Sequence, residues 1–172
     1  MQIKVSYMAA VFYASCLMLM TACGFQLRGH AELPAGMEKI YVQSDASALL
    51  LRYLRQSLSQ AGAQVVTDIN SATAVLVIGN EEQERSVLSV NDQARVREYE
   101  SRYSVTYSVA TVAGAEILSA RVIELRRDYS FNENEVLAKE RERISLVGDM
   151  QAEAVQAIMR QIRNRPKSAV TQ

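Results

Sequence analysis

Apolar residues recur along this chain in three rhythms. The first is continuous: Val5 to Met20 is mostly apolar, interrupted only by Ser6, Tyr7, Tyr13 and Ser15. The second has helical spacing. Leu50, Leu51, Leu54, Leu58 and Ala61 share one side, with Arg52, Arg55 and Gln56 opposite, which predicts an amphipathic helix. Ser44 or Asp45 is expected to cap it, because either side chain can accept from the free amides of a first turn. Gly62 is expected to end it in a left-handed conformation. The same spacing returns at Ile144, Val147, Ala154, Ile158 and Ile162. It predicts a final helix over Leu146 to Arg163, with Glu135 as the earliest start, and Pro166 bars its continuation.

The third rhythm is alternation. Tyr99, Tyr103, Val105, Tyr107 and Val109 hold odd positions, and Glu100, Arg102, Ser104, Thr106 and Ser108 hold even ones. A period of two sustained over about ten residues means a long strand with one buried face. Gly114 marks a tight hairpin into a second long strand, Glu116 to about Phe131. A short first strand is expected at Met37 to Gln43, an extended piece at Val65 and Val66, and a β-rich run from Ala74 to Ile78 that can continue to Val90. Asn91-Asp92-Gln93-Ala94 reads as a turn and Asn132-Glu133-Asn134 as a break. The order is strand, helix, two or three long antiparallel strands, helix. That is an α+β sandwich of two layers, helices on one sheet face, with the long strands projecting past the helical layer.

Composition changes the picture most at the N-terminus. Lys4 is the one charged side chain before Arg28, and Met20-Thr21-Ala22-Cys23 follows the apolar run. A charged start, a short apolar run and small residues before a cut describe a signal peptide. The run is too short to be a typical membrane-spanning helix. A cysteine directly after Thr-Ala resembles the lipobox of bacterial lipoproteins, so residues 1–22 are expected to be removed and Cys23 to be acylated. Cys16 would leave with the signal peptide, so the mature chain has no cysteine for a disulfide or a metal. Residues 23–36, with Gly24, Gly29, Pro34 and Gly36, read as an irregular leader. Residues 37–165 read as a single domain and residues 166–172 as a frayed tail.

Charge and chemistry narrow the function. Without Lys4 the 19 basic side chains fall to 18, against 19 acidic ones. Nucleic-acid binding is therefore not expected, and affinity for any anion must come from local placement of charge. Catalysis finds no foothold: His30, the single histidine, lies in the leader, and no glycine-rich phosphate cradle or metal-ligand spacing appears. No cofactor, metal or catalytic residue is expected. Glu81, Glu82 and Glu84 read as a solvated strand end or loop. Tyr99, Tyr103 and Tyr107 form a stripe on one strand face, suited either to the core or to an interface with a partner.

The mature chain would open Cys23-Gly24-Phe25-Gln26-Leu27-Arg28-Gly29, which resembles the start of the LptE (RlpB-like) family of lipopolysaccharide-assembly lipoproteins. Leu33-Pro34 before the first strand, Glu98-Tyr99 in the hairpin and Leu137-Ala138-Lys139 leading into the last helix extend the resemblance over nearly all of the mature chain. The short C-terminal tail departs from it. The resemblance implies a mixed, mostly antiparallel four-stranded sheet with two helices on one face. It also implies a lipid-anchored outer-membrane protein, facing the periplasm, that plugs and assists assembly of the LptD β-barrel and binds lipopolysaccharide. Gly24 after the anchor, where aspartate would signal inner-membrane retention, is compatible with that location. The alternative is an independent envelope lipoprotein, a periplasmic scaffold without a barrel partner. For lipopolysaccharide phosphate, the candidate ligands are Arg95 and Arg97 beyond the Asn91 turn, and Lys139 after the following strand's end. Arginine suits bidentate phosphate contacts, and Val87, Leu88, Val90 and Val96 are apolar neighbours for acyl chains.

Overall fold

A computed structural model describes residues 33–164. Strand β1 (Lys39–Ser44) leads into helix α1 (Ala48–Gln60), then β2 (Gln64–Val66), three long strands β3 (Ala74–Val90), β4 (Val96–Thr111) and β5 (Glu116–Ser130), and helix α2 (Val136–Arg163). The sheet order is β2-β1-β3-β4-β5. β1 runs parallel to both β2 and β3, and β3, β4 and β5 form an antiparallel meander. The α+β two-layer expectation matches this architecture.

The sheet has five strands where four were expected. The addition is β2, which pairs in parallel with Lys39, Ile40 and Tyr41. Three residues are too few for alternation to register as a strand. One helix boundary also differs. The cap of α1 is Ser47, whose hydroxyl accepts from the Leu50 amide at 3.4 Å, rather than Ser44 or Asp45. Helix α2 starts at Val136, next to the earliest start expected, Glu135, and ten residues before Leu146. Its first buried residue among those described is Val147, so the first three turns carry no apolar stripe. They are supported instead by ion pairs one turn apart, Lys139–Glu142 at 2.9 Å and Glu140–Arg143 at 2.7 Å, each worth a few tenths of a kcal/mol.

The core lies between the helices and one face of the sheet. Leu50, Leu54 and Leu58 of α1 and Val147, Ala154 and Ile158 of α2 are buried against Ile40, Leu76, Ile78, Val105 and Val109. The tyrosine stripe is resolved in favour of the core for two of its members. Tyr103 is 0% exposed and Tyr107 is buried with it, so neither offers a surface to a partner.

One irregularity governs the long hairpin. Gly79 pairs with Thr106, but Glu82 pairs with Ser104, so β3 gains one residue on β4. Asn80 takes φ +50° at that point, a left-handed conformation that asparagine tolerates better than most residues. This is a β-bulge. Before it the helix-facing residues of β3 are even (Ala74, Leu76, Ile78); after it they are odd, because Gln83, Arg85 and Val87 pair with Tyr103, Ser101 and Tyr99.

A candidate anion-binding tip

The β3–β4 turn is built by Asn91. Its side-chain oxygen accepts from the amides of Gln93 at 3.0 Å and Arg95 at 2.9 Å. Its own amide donates to the Arg95 carbonyl at 2.8 Å, and Ala94 closes the turn at φ +60°. Antiparallel pairing then brings the far end of β5 back to this turn. Glu98 pairs with Ser130, and the Phe131 amide donates to the Arg97 carbonyl at 2.7 Å. Asn132 caps the short turn that follows by accepting from Asn134 at 3.0 Å, and α2 starts directly after it.

Arg95, Arg97 and Lys139 therefore lie at the same end of the sheet. The Lys139 ammonium donates to Ser130 Oγ at 3.0 Å and to Glu142 at 2.9 Å, and its side chain is 16% exposed. Arg95 pairs with Glu133 at 3.1 Å in the open, a contact worth at most about 1 kcal/mol. Arg97 is exposed, and no ion pair involves it among the described residues. Beside these cations, Val87, Leu88, Val90, Val136 and Leu137 are exposed large apolar residues, Leu137 at 78%. The arrangement offers two arginines that exchange partners at little cost, with the more enclosed Lys139 behind them, next to apolar surface; these are the two faces an anionic amphiphile presents.

Sequence reasoning missed further groups. An aromatic cluster supports the tip: Tyr99 stacks on Tyr129 with ring centres 5.8 Å apart and meets Phe131 edge-on at 5.2 Å. Arg85 lies over the Tyr99 ring at 4.7 Å, an ordinary cation–π geometry. The bulge hid Arg85, since strict alternation would have sent it to the other face.

Glu81 is the main correction within the acidic cluster. It is half-buried and bonded rather than freely solvated: the bulge turns it toward the helices. Its carboxylate accepts from the Ser47 amide at 2.5 Å, the Ser47 hydroxyl at 3.0 Å, the Tyr103 hydroxyl at 2.9 Å and the Gln151 amide at 2.7 Å. Burial pushes its pKa up, but these donors outweigh it and hold the carboxyl below its ordinary range. Burial and the facing Glu81 charge push the Tyr103 hydroxyl far up. Glu82 and Glu84 are exposed, as expected. Arg126 and Arg143 are occupied by Glu124 and Glu140, and Arg127 by Glu153.

Cys23, the signal peptide, the leader as far as residue 32, His30 and the tail 166–172 lie outside the described residues. Among those described, no helix is long and apolar enough to cross a membrane, and no cluster of metal-binding side chains occurs.

Comparison with known proteins gives concordant results. The profile of the LptE family, described as lipopolysaccharide-assembly, matches residues 37–162. The chain is 31% identical over 148 residues to the LPS-assembly lipoprotein LptE of Yersinia enterocolitica, covering 84% of this chain and 70% of that one. It is 29% identical over 148 residues to the protein of the same name from Photorhabdus laumondii, covering 84% and 79%. Among solved structures it is similar to lipoprotein B of Nitrosomonas europaea, at 34% identity and TM-score 0.69 over 81% of this chain and 90% of that one. Rare lipoprotein B of Shewanella oneidensis is similar at 30% identity and TM-score 0.63, over 72% and 92%.

Proposed function

This chain belongs to the LptE family and takes part in lipopolysaccharide assembly; on that premise we propose that it is an outer-membrane lipoprotein, anchored through Cys23, that plugs and assists assembly of an LptD-type β-barrel and binds lipopolysaccharide at its tip. The observation that carries the binding step is the gathering of Arg95, Arg97 and Lys139 beside exposed Val87, Leu88, Val90 and Leu137. The chain is neutral overall, so an anion needs such a local site. Arginine forks take phosphate oxygens in pairs, and the lysine adds a compact charge. Each charged contact is worth about 1.5–3 kcal/mol where water is excluded. The family is one of assembly lipoproteins rather than enzymes, and nothing in this site calls for a reaction step.

The test uses the full lipoprotein purified from membranes. Bound lipopolysaccharide should fall as salt rises, because exposed charge pairs are screened. Changing Arg95, Arg97 and Lys139 together to glutamate should remove most of it while the circular dichroism stays native. Unchanged binding in the folded triple variant overturns the site. A barrel recovered in stoichiometric amount supports the plug, and a lipoprotein recovered free of any barrel favours an independent periplasmic scaffold.

A further inference from the structure

Charge is unevenly shared between the two faces of the domain. Helix α1 carries Arg52 and Arg55 and no acid, and residues 154–163 of α2 carry Arg160 and Arg163 and no acid. Leu50, Leu54 and Leu58 turn to the core, so Arg52, Arg55 and Gln56 turn outward; Arg160 lies opposite buried Ile158 and Ile162 on the outward side of α2. Arg52, Arg55 and Arg160 are exposed, and no ion pair involves them among the described residues. Arg52 lies 5.7 Å from the Tyr53 ring. The last turn of a helix suits a cation such as Arg160 through the helix dipole, but Arg52 and Arg55 stand mid-helix, where that reason does not apply. On the opposite sheet face Glu84, Glu100, Glu124 and Asp128 stand against Arg102 and Arg126 alone in the same stretch of paired residues, so that surface is net negative.

Both helices run toward the same end of the sheet. Gln151 of α2 donates to Ser47 at the start of α1 at 2.9 Å, and further along Gln161 accepts from Tyr107 at 2.6 Å, nearer the end where Thr111, Ala74 and Ile40 pair. Helix α1 finishes there too, since the Gln64 amide just after it donates to Glu38. The chain enters the domain at this end: Leu33 and Pro34 line a depression with Ala61, Gly62 and Ala63. Leu33 is ten residues from Cys23, at most about 35 Å of extended chain. We propose that this helical face rests on anionic phospholipid headgroups of the leaflet that holds the Cys23 anchor, before a barrel takes the protein up; the inference rests on the anchor reading above. The chain is neutral overall, so attraction to such a surface exists only for one orientation, helices down and acidic sheet face away. Guanidinium groups suit phosphate oxygens, and an anionic leaflet attracts cations held within about 10 Å of it. The short tether keeps the face near the surface, so contacts too weak to recruit a free protein suffice to orient an anchored one.

The test uses the lipoprotein purified from membranes and added to vesicles of phosphatidylcholine, alone or mixed with phosphatidylglycerol. An acylated Cys23 leaves no free thiol, so Gln56→Cys on the helical face and Val122→Cys on the opposite sheet face each take one fluorescent dye. A spin label on lipid headgroups quenches any dye that reaches them. On the anionic vesicles the dye at Gln56 should be quenched and the dye at Val122 should not, and added salt should reverse the quenching. On phosphatidylcholine alone neither dye should be quenched. Changing Arg52, Arg55 and Arg160 together to glutamate should weaken docking at least about a hundredfold, at roughly fivefold per arginine, while the circular dichroism stays native. The triple lysine variant, which keeps the charge, should dock. Absent quenching at Gln56 on anionic vesicles, equal quenching on neutral ones, or quenching at Val122 overturns the docking face. Absent quenching combined with capture of a barrel by benzoylphenylalanine at Gln56 in cells assigns the face to a protein partner instead. Dye uptake by the protein without an added cysteine shows a free Cys23 thiol, which overturns the anchor and the tethered docking with it.

Discussion

Glu81 joins four elements through one carboxylate: the cap of α1, the bulge of β3, Tyr103 of β4 and Gln151 of α2. Even a half-buried carboxylate without donors would be costly, whereas this one has four. Removing it strands its donors rather than merely losing its own bonds. Glu81→Ala should therefore lower unfolding free energy by about 2 kcal/mol in urea titrations, and Glu81→Gln by less. The folded pKa is depressed below the ordinary 4.5. The stabilisation from its charge is thus present above pH 4.5 and disappears as pH falls through the lowered folded value. Urea midpoints of wild type and Glu81→Gln should converge on acidification from pH 7 toward pH 3. A gap that stays constant over that range would show that the charge of Glu81 is not what stabilises.

At the scale of the element, the bulge is the feature on which both the Glu81 cluster and the placement of Arg85 on Tyr99 depend. Asn80 holds φ +50°, so Asn80→Gly should leave thermal stability nearly unchanged. Asn80→Val should cost about 1–2 kcal/mol, because a β-branched residue resists the left-handed region. Equal stability in both variants would mean the bulge conformation carries no strain cost. The bulge also marks where the sequence stops being readable. α1 and the long hairpin strands were legible because each buries a single face, so their periods are unbroken over many residues. That Arg95, Arg97 and Lys139 share one end of the sheet followed from the antiparallel return of β5, once a hairpin was recognised. Arg85 and Glu81 were not legible, because one inserted residue reverses parity and no composition signal announces it beyond Gly79-Asn80. β2 is too short to show a period. The first turns of α2 bury nothing, so their helicity rests on charge pairs that a search for apolar stripes passes over.

At the scale of the molecule, among the described residues one face of the sheet is covered by helices and the other carries mostly exposed polar side chains. On the open face Arg102 approaches Glu84, Glu100 and Glu124 at 3.4–3.7 Å, and such exposed pairs add little stability. The proposed anchor adds a second constraint. Intact mass of the membrane-extracted protein should show acyl groups on a chain starting at Cys23, and Cys23→Ala should leave an unprocessed precursor. A soluble mature chain with a free thiol would remove the membrane attachment from the proposal. The asymmetry of β3 itself reaches further. Ala74 to Ile78 is flanked by β1 and β4 and roofed by the helices, while, among the described residues, 82–90 pair with β4 alone. Amide protons in the first stretch can exchange with solvent only when the whole domain opens, but those in the second can exchange through local fraying. Faster amide exchange at residues 82–90 than at Ala74 to Ile78 is therefore the expected outcome, which would make the tip a part of the protein that opens while the core stays shut.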